Sequence, residues 1–105
     1  PSLVTSGERL FREAGCSGCH MGSTIVRAPR LEGLFGSPVP LNGGQGVVAD
    51  DKYLHDSIVL PGNQIAAGYD NLMPSFKGKL SEEQIFELIA YLKSLGNKAP
   101  ETTQR

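Results

Sequence analysis

Both cysteines of this 105-residue chain fall in one pentapeptide, Cys16-Ser17-Gly18-Cys19-His20, which also takes one of its two histidines. No other feature constrains the fold as much. Two thiols two residues apart, with an imidazole directly after them, suit covalent capture of a haem. Each thiol can add to one vinyl group, the spacer matches the separation of the vinyls, and the histidine projects at the iron from the same face. Three other uses of the spacing compete. A redox C-x-x-C follows a strand and opens a helix in a βαβ unit, whereas here a helical pattern precedes the motif and a loop follows it. A zinc site wants four good donors. His55 is the one His or Cys left over, so a carboxylate would have to complete the set. A disulfide across the motif leaves His20 without a role.

A bound plate also answers a packing problem. Gly 13 and Pro 7 make much of the chain turn and loop, and a loop-rich domain this small builds a thin core from its own side chains. Residues 18–49 are punctuated by glycines and prolines throughout, and a stretch that long must wrap something. The length fits one domain, 1–105, with a frayed leader at 1–4 and a frayed tail at 97–105. A net charge of −1 gives no basic footprint for nucleic acid. No run approaches a membrane span, and no signal segment opens the chain. The start at Pro1 rather than Met suits a processed protein or a domain excised from a longer one.

Three helices are legible. Thr5 and Glu8 have capping-box spacing, which predicts a helix to about Gly15 with Leu10, Phe11 and Ala14 inward. Asp50 and Asp51 open a second, with Tyr53, Leu54 and Ile58 inward and Pro61 ending it. Ser81 and Gln84 box the third, in which Ile85, Leu88, Ile89 and Leu92 recur at helical spacing; Gly96 supplies its C′ residue. Between the first two, 39–41 and 47–49 flank a glycine-rich turn and read as a short hairpin.

An electron-transfer haem takes a second protein ligand, Met or His. Met21 adjoins His20 and is tethered to the proximal face, so it reads as apolar filler. His55 lies beside Asp56, off the inward face of its helix, and reads as a surface group. Met73 sits on the loop before the last helix, stiffened by Pro74. Its alternative is core packing, but that loop has to pass the open face of the haem, so Met73 is the expected sixth ligand.

With these residues in place, the chain resembles class I cytochromes c along nearly its whole length. The matching marks are Gly7 and Phe11, the CSGCH motif, the run 28–36 beginning Ala28-Pro29-Arg30, Met73-Pro74, and the run 88–93 around Tyr91. The resemblance implies an all-α fold of three to five helices around one covalent haem c, with room for one short β-hairpin near 39–49. It implies that the Pro29 carbonyl holds the ring N–H of His20, and that the first and last helices cross near Gly7, Phe11 and Tyr91. Cys16, Cys19, His20, Met73 and Pro29 are then the cofactor-binding residues, with His20 and Met73 on the metal. A narrower likeness, through the run from Gly36 across the hairpin to Ala49-Asp50-Asp51, then Leu60-Pro61-Gly62, Ala67-Gly68-Tyr69 and Met73-Pro74-Ser75-Phe76, is to the cytochrome c domain of subunit II in caa-type haem-copper oxidases.

The expected function is therefore electron transfer rather than catalysis. The narrower likeness implies a binuclear copper domain as acceptor, a site on the periplasmic side of a bacterial cytoplasmic membrane, and membrane attachment only through the parent oxidase. The alternatives are a free monohaem cytochrome, or a haem enzyme or gas sensor whose sixth ligand leaves. The second wants distal acid–base groups, and around Met73 the sequence offers Asp70, Asn71, Ser75 and Lys77. Arg30, Asn42, Gln45 and Tyr53 are the positional candidates for the haem propionates. Ala28, Ile65, Ala66, Ala67 and Pro74 are expected to ring the haem edge.

Overall fold

The computed structural model describes residues 2–20 and 28–95. Among them the fold is mainly helical. Helix α1 (Leu3–Glu13) begins at Ser2, whose Oγ accepts the Thr5 N–H at 3.1 Å. The cap thus lies three residues before the expected Thr5, and Leu3 and Val4 join the helix instead of a leader. Thr5 turns its own hydroxyl back to Ser2 Oγ, 3.1 Å away. The helix stops at Glu13, and Gly15 takes φ 90°, a left-handed turn that glycine makes without strain. That turn leads into α2 (Ser17–His20), a single helical turn the sequence pattern did not mark.

The hairpin pairs β1 (Pro38–Pro40) with β2 (Gly46–Val48), Val39 opposite Val47. Both strands begin one residue earlier than expected because Leu41 and Asn42 pair elsewhere. Leu41 bridges Ala66, the Asn42 N–H reaches the Ile65 carbonyl at 2.8 Å, and the Ala67 N–H reaches the Pro40 carbonyl at 2.8 Å. These bonds stitch the loop 64–69 to the hairpin.

Helix α3 (Asp51–Val59) is capped by Asp50, whose Oδ1 accepts the Tyr53 N–H at 2.9 Å. Pro61 opens a 3-10 turn, Pro61–Asn63, so the helix ends where the proline predicts. Helix α4 (Glu82–Ser94) carries the full capping box: Gln84 N–H donates to Ser81 Oγ at 3.0 Å, and Ser81 N–H to Gln84 Oε1 at 2.9 Å. Leu95 is its C-cap; the expected Gly96 and the tail lie outside the described residues.

Helices α1 and α4 cross in close contact. Gly7 is buried there, and a Cβ on it would land on the Glu87 carbonyl and 2.8 Å from Tyr91 Cβ. The absence of a side chain is what lets the backbones approach. Beside the crossing the Phe11 and Tyr91 rings meet at 5.3 Å, tilted by 56°. Leu10 and Phe11 from α1, Leu54 and Ile58 from α3, and Ile85 and Leu88 from α4 form one buried cluster. Lys93 reaches back to Asp51 at 2.9 Å, an exposed tie between α4 and the start of α3. No helix among the described residues is long and apolar enough to cross a membrane.

Candidate functional site

One cleft, lined mostly by apolar side chains, gathers residues from every part of the chain. The Cys16-Cys19-His20 segment forms one stretch of its wall; Leu31, Leu34 and Val39 another; Leu54 and Ile58 of α3 and Leu88 and Leu92 of α4 line it from the core. The loop 64–74 completes it, Met73 included. The loops that looked too long for their own structure therefore enclose a shared apolar space.

Both cysteines are free and half-buried at this cleft. Burial pushes the Cys16 thiol above its ordinary 9.0, and the neighbouring Cys19 adds to the rise. A redox C-x-x-C works by the opposite device, a depressed thiol pKa. The zinc reading loses its donors as well: among the described residues no three His, Cys, Asp or Glu side chains come together in a metal-binding group.

His20 is oriented by its backbone neighbour across the loop. Its Nδ1 donates to the Pro29 carbonyl at 3.0 Å. A carbonyl can only accept, so Nδ1 carries a proton, and in the neutral ring the lone pair is then on Nε2. That is the protonation state a metal ligand needs, and the bond also fixes the ring plane. Gly15 and the short α2 set this geometry, because they turn the motif out of α1 and wind Cys19 and His20 into one helical turn that starts just after Cys16, whose carbonyl accepts the His20 N–H at 3.0 Å.

Met73 is half-buried on a loop with firm anchors. The Ser75 hydroxyl donates to the Val59 carbonyl at 2.6 Å, and the Phe76 N–H donates to the Ile58 carbonyl at 3.0 Å. The chain just after Met73 is thus pinned to the C-terminal end of α3. His55 is engaged elsewhere: its Nε2 meets Glu82 at 2.9 Å, its Nδ1 lies 3.7 Å from Asp56, and it does not line the cleft. Met21 lies outside the described residues.

The residues expected at the propionates divide in their placement. Tyr53 lines the cleft, but Arg30, Asn42 and Gln45 do not. Arg30 is exposed beside Glu32, 3.8 Å away. Asn42 is spent on the loop stitch, donating to the Tyr69 carbonyl at 2.9 Å and accepting the Gly68 N–H at 3.1 Å. Of the small residues expected at the edge, Ala28, Ile65, Ala66 and Pro74 line the cleft and Ala67 does not. Leu72, 60% exposed, belongs with them. Sequence reasoning missed Ser57, Gln64 and Tyr69, which also line the cleft. Ser57 alone had a legible signal, three residues after inward Leu54 and one before inward Ile58.

Comparison with known proteins agrees with this architecture. Residues 4–96 match the family model for cytochrome c. Cytochrome c6 from the diatom Phaeodactylum tricornutum is 30% identical and superposes with a TM-score of 0.55, over 89% of this chain and 93% of that one. Cytochrome cH from Methylobacterium extorquens, 22% identical with a TM-score of 0.57 over 87% of this chain and 97% of that one, shares the fold. The chain is also 35% identical over 91 residues, 86% of its length, to one of the subunits of nicotinate dehydrogenase from Pseudomonas putida, and spans 7% of that relative's length.

Proposed function

The chain belongs to the cytochrome c family, with the class I fold and one covalent c-type haem, and from that premise we propose that it carries single electrons on a haem ligated by His20 and Met73. The observation that carries the reading is the Nδ1 bond of His20 to Pro29, which leaves Nε2 as the ligating nitrogen of a ring that lines the same cleft as Met73. Cys16 and Cys19 hold the group by two thioethers. The haem supplies an iron that alternates between ferrous and ferric. The protein's part is to keep its surroundings fixed and dry: the Pro29 carbonyl holds the proximal ring, and the anchors at Ser75 and Phe76 hold the loop that bears Met73. A thioether ligand and an apolar cleft both favour the ferrous state; axial ligands alone spread haem potentials over about 0.8 V.

The physiological setting we favour is a tethered domain on the periplasmic side of a bacterial membrane, passing electrons to the binuclear copper centre of a terminal oxidase. The support is the sequence likeness around 60–76 and the apolar rim of Leu72, Pro74 and Ala66, which offers a partner little charge to steer by. A free monohaem carrier is the second reading, favoured by the likeness to cytochrome c6 over nearly all of that protein.

The test of ligation is a pair of variants. Met73→Ala keeps its covalent haem, loses the sulfur–iron band in the red, falls in potential and gains carbon monoxide binding when reduced. Met21→Ala keeps all four wild-type properties. The reverse pattern would overturn the assignment.

A further inference from the structure

The last carbonyls of a helix have no partner inside it, and a left-handed glycine just after the helix commonly turns the chain back to meet them. Helix α3 lacks that device. Leu60 follows it at φ −135° and ψ 61°, and Pro61 has no N–H to offer. The Asn63 N–H goes to the Leu60 carbonyl at 3.0 Å. The two carbonyls at the end of α3 are met instead from the loop that bears Met73. The Ser75 hydroxyl, 16 residues on from Val59, donates to the Val59 carbonyl at 2.6 Å. The Phe76 N–H donates to the Ile58 carbonyl at 3.0 Å. Ser75 Oγ in turn accepts the Lys77 N–H at 3.2 Å. The hydroxyl is thus held from the loop side while its proton serves the helix.

This remote cap and Met73 are two residues apart, joined by Pro74, whose ring fixes the backbone between them. A methionine side chain turns about three bonds, so where its sulfur can stay depends on where its backbone is held. We infer that Ser75 is a positioning residue for the sixth ligand: Met73 leaves the iron only as far as the Ser75 cap on α3 opens. The inference rests on the reading of Met73 as iron ligand. An outside ligand binds only those molecules whose sixth position is open, so its apparent affinity scales with that fraction. Losing one hydrogen bond that holds the closed loop raises the fraction about five-fold.

The experiment titrates the oxidised holoprotein with imidazole and follows loss of the red sulfur–iron band. It compares wild type, Ser75→Ala, Ser75→Thr and Ser2→Ala; the last removes the cap of α1 and serves as a control for lost stability away from the loop. Ser75→Ala is expected to show the band before imidazole is added, and to bind imidazole about five-fold more tightly. Hydrogen exchange at the Phe76 amide quickens with it. Ser75→Thr, which keeps the hydroxyl, restores both, and Ser2→Ala leaves both at the wild-type value. Unchanged imidazole affinity in Ser75→Ala, with or without faster exchange at Phe76, would overturn the inference while leaving Met73 ligation intact. An equal rise in Ser2→Ala would overturn it in favour of general destabilisation. A wild-type protein without the band would remove Met73 itself, and the inference with it.

Discussion

Replacing Gly7 by alanine tests the helix crossing that closes the fold. On helix propensity alone the change stabilises α1 by about 1 kcal/mol. The crossing reverses the sign. The new Cβ would land on the Glu87 carbonyl, a backbone group inside α4 that cannot rotate away, and 2.8 Å from Tyr91 Cβ. Overpacking costs about 1–3 kcal/mol, and a backbone obstacle puts this site at the upper end, about 3 kcal/mol on the same scale. The net loss is then about 2 kcal/mol, which for a domain of this size lowers the melting temperature by about 8–16 °C. Gly7→Val costs more, since its propensity gain is smaller and its bulk greater. Because the nearest obstacle is backbone, adding Tyr91→Ala does not rescue the variant. The assay is thermal melting of the oxidised holoprotein followed by circular dichroism. A Gly7→Ala protein melting at or above wild type would refute the close crossing.

Denatured protein retains one haem per chain by mass, and acid-acetone does not extract it; fragment masses place both attachments at Cys16 and Cys19. Ser81→Ala breaks the capping box on α4 and costs about 0.5–2 kcal/mol in denaturant titration. The Lys52 ammonium, 2.7 Å from Asp56, holds that carboxyl below its ordinary 3.8. The depressed folded value means that its contribution to stability is present above the unfolded value and lost as pH falls through the folded one. Lys52→Gln therefore moves the Asp56 titration, followed by NMR, upward toward 3.8. Electron exchange with a separated copper domain varies weakly with ionic strength, because the cleft rim is apolar and few charges steer the encounter. A steep fall in rate with salt would favour a free, diffusing carrier.

What was legible in the sequence is what local chemistry decides. The α4 capping box, the Asp50 cap and the end of α3 at Pro61 each depend on groups within a few residues, and each stands as read. The first helix shows the limit of such signals. Ser2 and Thr5 both have capping side chains three residues apart, and Ser2 takes the helix start while Thr5 becomes its first-turn donor. The short α2 has no apolar period to betray it, being one turn set by the motif itself. Polar groups around the cleft were the least legible. Asn42 looked free to reach a propionate, yet it is held by the loop stitch to Gly68 and Tyr69, 26 and 27 residues away in sequence. No local pattern foretells such a pairing. Gly7 shows the converse: its place at a crossing came from resemblance to a family, and the geometry supplies the reason, a backbone contact with no space for a methyl group.

The most direct test of the whole account is the optical spectrum of the purified holoprotein through one redox cycle, with carbon monoxide added to the reduced form at neutral pH. A carrier ligated by His20 and Met73 gives a reversible one-electron wave, shows the sulfur–iron band in the red when oxidised, and leaves its reduced spectrum unchanged by carbon monoxide. Absence of the band together with ready carbon monoxide binding would mean an open sixth position, and would contradict the assignment of this chain as an electron carrier with two fixed axial ligands.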